Sequence, residues 1–341
     1  MNNTSSVLRI AVAFLCIIAA FIYGIRFLFS GTQKQPQVPD IEYVNVFAPL
    51  PVSEAPATAQ TNAPVTESSS KTAAVSATSG EVLGKIVDRT IPVSSANLQK
   101  SGVHIRNSTD LSIDIDELLS SKLGYTVEKN GEPQVLIVHT HATECFMDED
   151  RDYYVSSDKT RTTDNNYNVT ALGEIVAGKL NGAGIKTLHD KTQHDYPSYN
   201  QSYSRAASTI KGYLKKYPSI KVVIDIHRDS VQVDSTKTRL IAQIDGNTAA
   251  QVMLVMGSQS GNVKNFPNWK ENLKLAVRLQ KNFEGMYPGL ARPLSLMSRS
   301  YNEPLTTGSM LIEIGTEANT FSEARYSAAL VGEALIKTLG S

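Results

Sequence analysis

The sequence predicts an α/β protein, a largely parallel central sheet flanked by helices, preceded by one transmembrane helix and a disordered tether. Three observations carry this expectation. From about Pro133, short apolar runs rich in β-branched residues alternate with stretches whose apolar residues recur every three or four positions, the pattern of buried strands joined by right-handed crossover helices. Ile10 to Ile25 is an uninterrupted apolar stretch, extended by Phe27-Leu28-Phe29 past Arg26. That makes about the 20 residues needed to cross a bilayer, with the guanidinium free to snorkel to the headgroups. A cleaved signal peptide is the rival; its apolar region is typically about 7 to 15 residues and ends in a small-x-small site, which Phe-Leu-Phe-Ser-Gly does not supply. Between span and domain, Pro51 to Gly80 has Pro, Ala, Ser or Thr at 21 of 30 positions and no Ile, Leu, Met, Phe, Trp or Tyr, too little apolar surface to offset chain entropy. The expected organisation is an anchor at 1–30, a tether at 31–80, a poorly defined extension at 81–130 and a folded domain at 131–341.

Charge excludes some functions. The chain of 341 residues balances 33 Lys and Arg against 33 Asp and Glu, so it offers no polycation, and no nucleic-acid partner is expected. Cys16 lies inside the apolar span and Cys145 far from it, so no intramolecular bridge is expected.

Within the domain, Val135-Leu136-Ile137-Val138 suits a strand covered on both faces. A helix follows on Val169, Leu172, Val176 and Leu180, closed by Asn181-Gly182. Gly184 to Leu188 reads as a strand, Tyr203 to Lys216 as an amphipathic helix and Val222 to Ile226 as a second buried strand. Strands then fit Thr238 to Ile244 and Gln251 to Met256, a helix fits Trp269 to Met286, a last strand Met310 to Ile314 and a last helix Ala324 to Leu339.

Sites in open sheets of this kind gather beyond the carboxyl ends of strands. Three such ends carry polar residues: His139-Thr140-His141-Ala142-Thr143-Glu144-Cys145, then His227-Arg228-Asp229, then Glu313 within Leu311-Ile312-Glu313-Ile314-Gly315. A His from one end, a carboxylate a few residues on and a second His from another strand would give Zn²⁺ three protein ligands and leave a fourth position for water. Glu313 would take the proton of that water. A single His at a strand end is more often a hydrogen-bonded structural residue, so the joint occurrence carries the reading. Glu313 weighs most, because burying an unpaired carboxylate on an apolar strand costs on the order of several kcal/mol. Its alternative is a purely structural pair with Arg228.

The His-Thr-His-x-x-Glu segment at 139–144, Asp-Ile-His-Arg-Asp at 225–229, and His189-Asp190 with His194-Asp195-Tyr196 together make residues from about 130 to 341 resemble the stage II sporulation protein P family. Its members are membrane-anchored peptidoglycan hydrolases of endospore-forming bacteria. More distantly, the domain is similar to zinc-dependent N-acetylmuramoyl-L-alanine amidases. Their second metal His sits in an Ile-His context, as His227 does, and their catalytic Glu lies in a Glu-x-Gly-x-x-x-Asn pattern met by Glu313, Gly315 and Asn319. That resemblance implies a zinc-amidase-like fold and Zn²⁺ as cofactor. Those amidases take a carboxylate ligand from the start of the first helix, but Asp164-Asn165-Asn166-Tyr167-Asn168 contains no Glu, and Glu144 is the expected replacement. Residues two apart on an extended chain face one side, so His139 and His141 both approach the site. His141, further from the buried strand, is the expected ligand, and His139 is expected to support it.

The resemblance further implies a substrate, the amide joining the muramic-acid lactyl group to the L-alanine of the stem peptide, with peptide cross-links as a second target. Arg228 would then supply charge to the oxyanion or to a stem-peptide carboxylate, unless it only pairs with Asp229 or Glu313. His194, Tyr199, Tyr203 and Arg205 are candidate groove residues, although Tyr203, Ala207, Ile210 and Leu214 also make a helical core stripe. Implied partners are peptidoglycan, the membrane, and stage II sporulation proteins D and M, with the domain outside the cytoplasm during engulfment. Two other readings compete: a cysteine hydrolase using Cys145 with His227 or His141, and a catalytically inactive wall-binding scaffold.

Overall fold

The computed structural model describes residues 80–340. The expected anchor and tether lie outside them, and among the described residues no helix is long and apolar enough to cross a membrane. Strand β1 (Val82–Arg89) comes first, then β2 (Leu98–Lys100), β3 (Val103–Asn107) and the short helix α1 (Ile115–Ser120). Next are β4 (Val135–Val138), β5 (Tyr153–Val155), α2 (Val169–Gly182), β6 (Thr187–His189), α3 (Ser202–Lys216) and β7 (Val222–Asp229). The remainder is β8 (Gln232–Val233), β9 (Thr236–Ile244), β10 (Asn247–Ala250), β11 (Val252–Gly257), α4 (Trp269–Met286), β12 (Leu294–Met297), β13 (Ser309–Thr316) and α5 (Phe321–Leu339).

Eight strands form the main sheet in the order β2-β3-β12-β11-β13-β7-β4-β6. Its pairings are parallel except β2 with β3 and β11 with β13. The expected strand at 184–188 is displaced to Thr187–His189, because Gly184 adopts a left-handed φ of +81° and turns the chain out of α2. β9 departs further: it belongs with β1, β5, β8 and β10 to a second sheet, which no local pattern announces. Residues 81–130, which the sequence leaves without definite structure, are part of the fold. β3 pairs with β12, β1 pairs with β9, and Val103, Ile105, Ile115 and Leu118 enter the main core. β3 and α1 are short, and β1 buries only Ile86 fully, so their apolar signal is weak in sequence.

Alternation along the central strands divides their side chains between two faces. Val135, Ile137, Val222, Ile224, Ile226, Met310, Ile312 and Ile314 join one core with residues of α2, α4 and α5. On the other face Leu136, Val138 and Val223 pack with Ile210 of α3, while Leu311 packs with Val255 and Tyr301. Asp225, His227 and Glu313 fall on this second face by the same alternation, where cover is thinner. Glu313 and His227 are register partners on adjacent parallel strands.

Two of the glycines required by close approach lie beside the strand ends that carry His139 and Glu313. Gly315 has φ +69° at the irregularity between Glu313 and Thr316, and a Cβ there would come to 2.9 Å from that of Ala250. Gly173 lies on α2 against His139 and His189; a Cβ would meet their Nε2 atoms at 2.5 and 2.6 Å. Gly178 of the same helix meets nothing within 4 Å. Gly178→Ala should therefore stabilise the protein by up to about 1 kcal/mol through helix propensity, whereas Gly173→Ala should destabilise it by about 1–3 kcal/mol through overpacking. Equilibrium urea unfolding of the two variants side by side checks this, and equal stability would refute the close contact.

Candidate metal centre

The chain leaves β4 at Val138 and turns, with Glu144 N–H donating to His141 O at 3.1 Å. That turn separates His139 from His141, which were expected on one side because extended residues two apart share a face. His139 stays on the α2 side, fully buried, with Nδ1 2.9 Å from Ile226 O and Nε2 2.9 Å from His189 Nε2. Burial and the neighbouring His189 push its pKa down to about 3, leaving it a neutral packing residue. His141 swings to the other face, with Nε2 3.1 Å from Ser202 Oγ and its ring stacked 4.6 Å from that of Tyr199.

One nitrogen each of His141 and His227 and one oxygen of Glu144 lie within 4.8 Å of one another. His141 Nδ1 is 3.7 Å from Glu144 Oε1, and His227 Nδ1 is 3.5 Å from Glu144 Oε2. Both imidazoles are held through their far nitrogens, His141 by Ser202 and His227 by Asp225 Oδ1 at 2.9 Å. In the neutral rings, a proton on each Nε2 would turn an Nδ1 lone pair inward, the arrangement that orients histidine ligands toward a cation. Two imidazoles and a carboxylate are the donor set of hydrolytic Zn²⁺ sites, so these residues fit the ion.

Electrostatics separates the carboxylates. Burial works against the charge of Glu144, but the hydrogen bond and charge of His227, with Arg228 and His141, hold its carboxyl well below the usual range. Asp225 is likewise lowered against its burial, by His227 and by hydrogen bonds from Thr140 N (2.8 Å) and Thr140 Oγ1 (2.6 Å). Although burial opposes it, these two carboxylates raise the His227 pKa well above the ordinary value. His141, dominated by burial, is pushed down to about 4 and is neutral. Glu313 goes the other way: burial, reinforced by Asp229 and Glu144, pushes it up to about 8, and its Oε2 has no hydrogen-bond partner.

The other expected site residues divide. Tyr199 is 41% exposed and lines a cleft of about 430 Å³ with His141, Ser202, Tyr203, Arg299 and Tyr301. Arg228, expected to face an oxyanion, points away from it, because alternation on β7 sets it opposite His227. Its guanidinium donates to the carbonyls of Cys145 (3.1 Å), Thr160 (2.8 Å) and Asp229 (3.2 Å), and its backbone N–H to Glu144 Oε2 (3.2 Å). It pairs with neither the Asp229 nor the Glu313 carboxylate. Asp229 instead accepts from Arg292 Nη1 at 2.8 Å. His194 and Arg205, expected in the groove, hold loops: His194 bridges His139 O and Thr209 Oγ1, each at 2.9 Å, and Arg205 donates to the carbonyls of His194, Ser198 and Asn200. Asn319 is turned from the site and ties β13 to β9, accepting from Thr316 N at 2.9 Å and donating to Leu240 O at 3.1 Å. Cys145 donates to Lys159 O at 3.2 Å, and burial pushes its thiol up to about 11, which leaves almost no thiolate at neutral pH. Sequence reading missed Ser202 and Arg161, and it quoted Asp225 and Asp195 within the family motifs without giving either a role. Only Asp225 carries a local signal, since it stands two residues before His227 on the same face of an apolar strand.

The raised pKa of Glu313 has a sign. The unfolded chain releases this proton near 4.5 and the folded state near 8, so the stability it contributes is complete below about pH 4.5 and is lost as pH rises through 8. In chelator-treated protein, Glu313→Gln should therefore gain stability relative to wild type as pH rises over that interval. Urea unfolding at several pH values measures the difference, and parallel curves would contradict it.

A family model of stage II sporulation protein P matches residues 50–336. The stage II sporulation protein P of Bacillus subtilis (strain 168) is 30% identical over 205 residues, which cover 57% of this chain and 48% of that protein, so the chain spans about half the length of this curated relative. Among solved structures, the chain is similar to the N-acetylmuramyl-L-alanine amidase Ami1 of Mycobacterium abscessus at 14% identity and a TM-score of 0.34, covering 62% of this chain and 97% of that one. It is also similar to the CwlD amidase of Clostridioides difficile, solved in complex with the GerS lipoprotein, at 9% identity and a TM-score of 0.38, covering 61% and 98%. With the family model matched over most of its length, the chain belongs to the stage II sporulation protein P family.

Proposed function

We propose that this protein is a zinc-dependent peptidoglycan hydrolase, cleaving the N-acetylmuramoyl-L-alanine amide bond, with peptide cross-links as a second target, during endospore engulfment. The observation that carries the reading is the convergence of His141, Glu144 and His227 donor atoms within 4.8 Å, next to the unpartnered Glu313 carboxyl. Family membership supports it. A cysteine hydrolase is disfavoured by the raised thiol of Cys145, and an inactive scaffold gives no reason to bury Glu313 without a partner.

His141, Glu144 and His227 would hold Zn²⁺, which when bound polarises the scissile carbonyl and lowers the pKa of its water. Ser202 and Asp225 keep the two imidazoles in the ligating tautomer. Glu313 takes the proton of the attacking water on a carboxylate oxygen and delivers it to the leaving nitrogen, and a pKa near operating pH suits both transfers. The cleft along Tyr199, Tyr203 and Tyr301 offers flat, partly apolar walls for the stem peptide.

The substrate fixes the topology of the proposal. Peptidoglycan lies outside the cytoplasmic membrane, so the apolar span at residues 10–29 is read as a single uncleaved anchor with the catalytic domain on the extracytoplasmic side. Read as a flexible tether, residues 31–80 would reach roughly 40 Å, which would confine the domain to wall close to its own membrane. Amide cleavage strips peptides from glycan strands and makes them available to a glycan-cutting partner; stage II sporulation proteins D and M are the proposed partners.

Replacing His141 or His227 by Ala should remove both zinc and wall-hydrolysing activity while leaving the far-UV circular dichroism unchanged; zinc at wild-type stoichiometry in either variant would defeat the ligand assignment. Glu313→Gln should keep zinc and lose turnover by about 10²- to 10⁴-fold, the usual scale for an acid–base group, as read from alanine amino termini released from purified wall. For the topology, protease added to intact protoplasts should digest the domain, and a protected domain would count against the extracytoplasmic assignment.

A further inference from the structure

Arg161 lies between β5 and α2, its backbone bridged to that of Glu144. Nη1 donates to Asp195 Oδ2 at 2.6 Å and to Thr143 Oγ1 at 3.2 Å. Nη2 makes no hydrogen bond among the described residues and comes to 3.6 Å from Glu144 Oε1. The guanidinium sits 4.9 Å from the centroid of the Tyr199 ring, which itself stacks on His141. Its side chain is 39% exposed, against 7% for Glu144. Arg161 is thus a cation at the solvent-facing edge of the buried donor cluster, and it is held there. The Asp195 side chain is fully buried, and its carboxylate also accepts from the backbone N–H and hydroxyl of Thr143. A guanidinium fixed through one nitrogen, with a second that faces the cluster, ion-paired with Glu144 but making no hydrogen bond, is a donor organised in advance for an oxygen that arrives with the substrate.

We propose that Arg161, through Nη2, hydrogen-bonds the carbonyl oxygen of the scissile amide as it becomes an oxyanion, with Asp195 as the positioning residue. The inference rests on the amidase reading above. Water oxygen adds to the carbonyl carbon, the π pair of the C=O bond moves to the carbonyl oxygen beside Arg161, and the proton released goes to Glu313. On collapse that pair re-forms C=O, the C–N bond breaks with its pair on nitrogen, and the proton passes from Glu313 to the nitrogen. One water is consumed, and a carboxylic acid and a free amine are produced. This is the role expected of Arg228, whose guanidinium is instead committed to carbonyl oxygens.

The test compares wild type, Arg161→Met and Arg161→Lys in the full chain, loaded with zinc. Zinc content, kcat and KM on soluble muropeptide polymer, and affinity for a phosphinate analogue of the amide are measured. Wall binding by the chelator-treated proteins is measured alongside. Arg161→Met should keep its zinc, its wall binding and its KM while kcat falls about 10²- to 10³-fold, the usual loss for an oxyanion donor, and phosphinate affinity should fall in parallel. Arg161→Lys should recover part of the loss, since it keeps the charge but not the planar fork. The double variant Arg161→Met/Asp195→Asn removes the carboxylate that the single change strands, and should show the same loss of kcat if the effect is chemical. Unchanged kcat, a rise in KM alone, loss of zinc, or a loss of kcat rescued in the double variant each overturn the proposal. A zinc-loaded wild type releasing no alanine amino termini overturns the amidase reading itself; an active wild type beside an equally active Arg161→Met overturns only the role of the arginine.

Discussion

The contact of Asp225 with His227, 2.9 Å between Oδ1 and Nε2 within β7, is the constraint on which the site depends. A carboxylate at 4% exposure on an apolar strand is tolerable only when its oxygens are occupied. Thr140 fills the remaining demand, and in doing so locks the end of β4 to β7. With its Nε2 committed, His227 has only Nδ1 to turn outward, and Glu144 meets it. That brings the chain after β4 back over β7, where Arg228, from the opposite face of the same strand, pins it through the carbonyls of Cys145 and Thr160. Arg228 thereby sets where the donor cluster forms.

Glu144 and Glu313 show how neighbours, not residue type, assign roles. Both are buried. Glu144 has two imidazoles and two guanidinium groups around it and is held ionised, as the proposed ligand role requires. Glu313 is buried beside Asp229 and Glu144 and keeps its proton to about pH 8, which suits the proposed acid–base role. Environments that drive the pKa values of two carboxyls apart divide their labour between them.

Much of the site was legible because polar residues at the ends of apolar strands are conspicuous. His141, Glu144, His227 and Glu313 converge as the strand-end reading expected. The residues that hold them were less legible. Ser202 opens a helix 61 positions from His141, and Asp195 comes from a loop 34 positions from Arg161. Nothing near either residue in sequence marks its partner. The same blindness misplaced His194 and Arg205, which are polar and near the expected groove in sequence yet bind loop carbonyls, and it hid that Asn319, of the Glu313 pattern, ties β13 to β9.

The sequence by itself determined the elements. Runs such as Val135–Val138 and stripes such as Val169, Leu172, Val176 and Leu180 encode strand and helix, because apolar periodicity records which side of a local segment is buried. It determined equally that a carboxylate within β13 needs a reason to be there. Packing settled which sheet β9 joins, that β3 of the 81–130 segment extends the main sheet, that a turn parts His139 from His141, and that the Arg228 guanidinium binds carbonyl oxygens. Each of these is a choice of partner for a backbone edge or a polar group. Such partners are long-range and directional, so they are fixed by how the elements pack and leave no periodic trace in the segment that carries them.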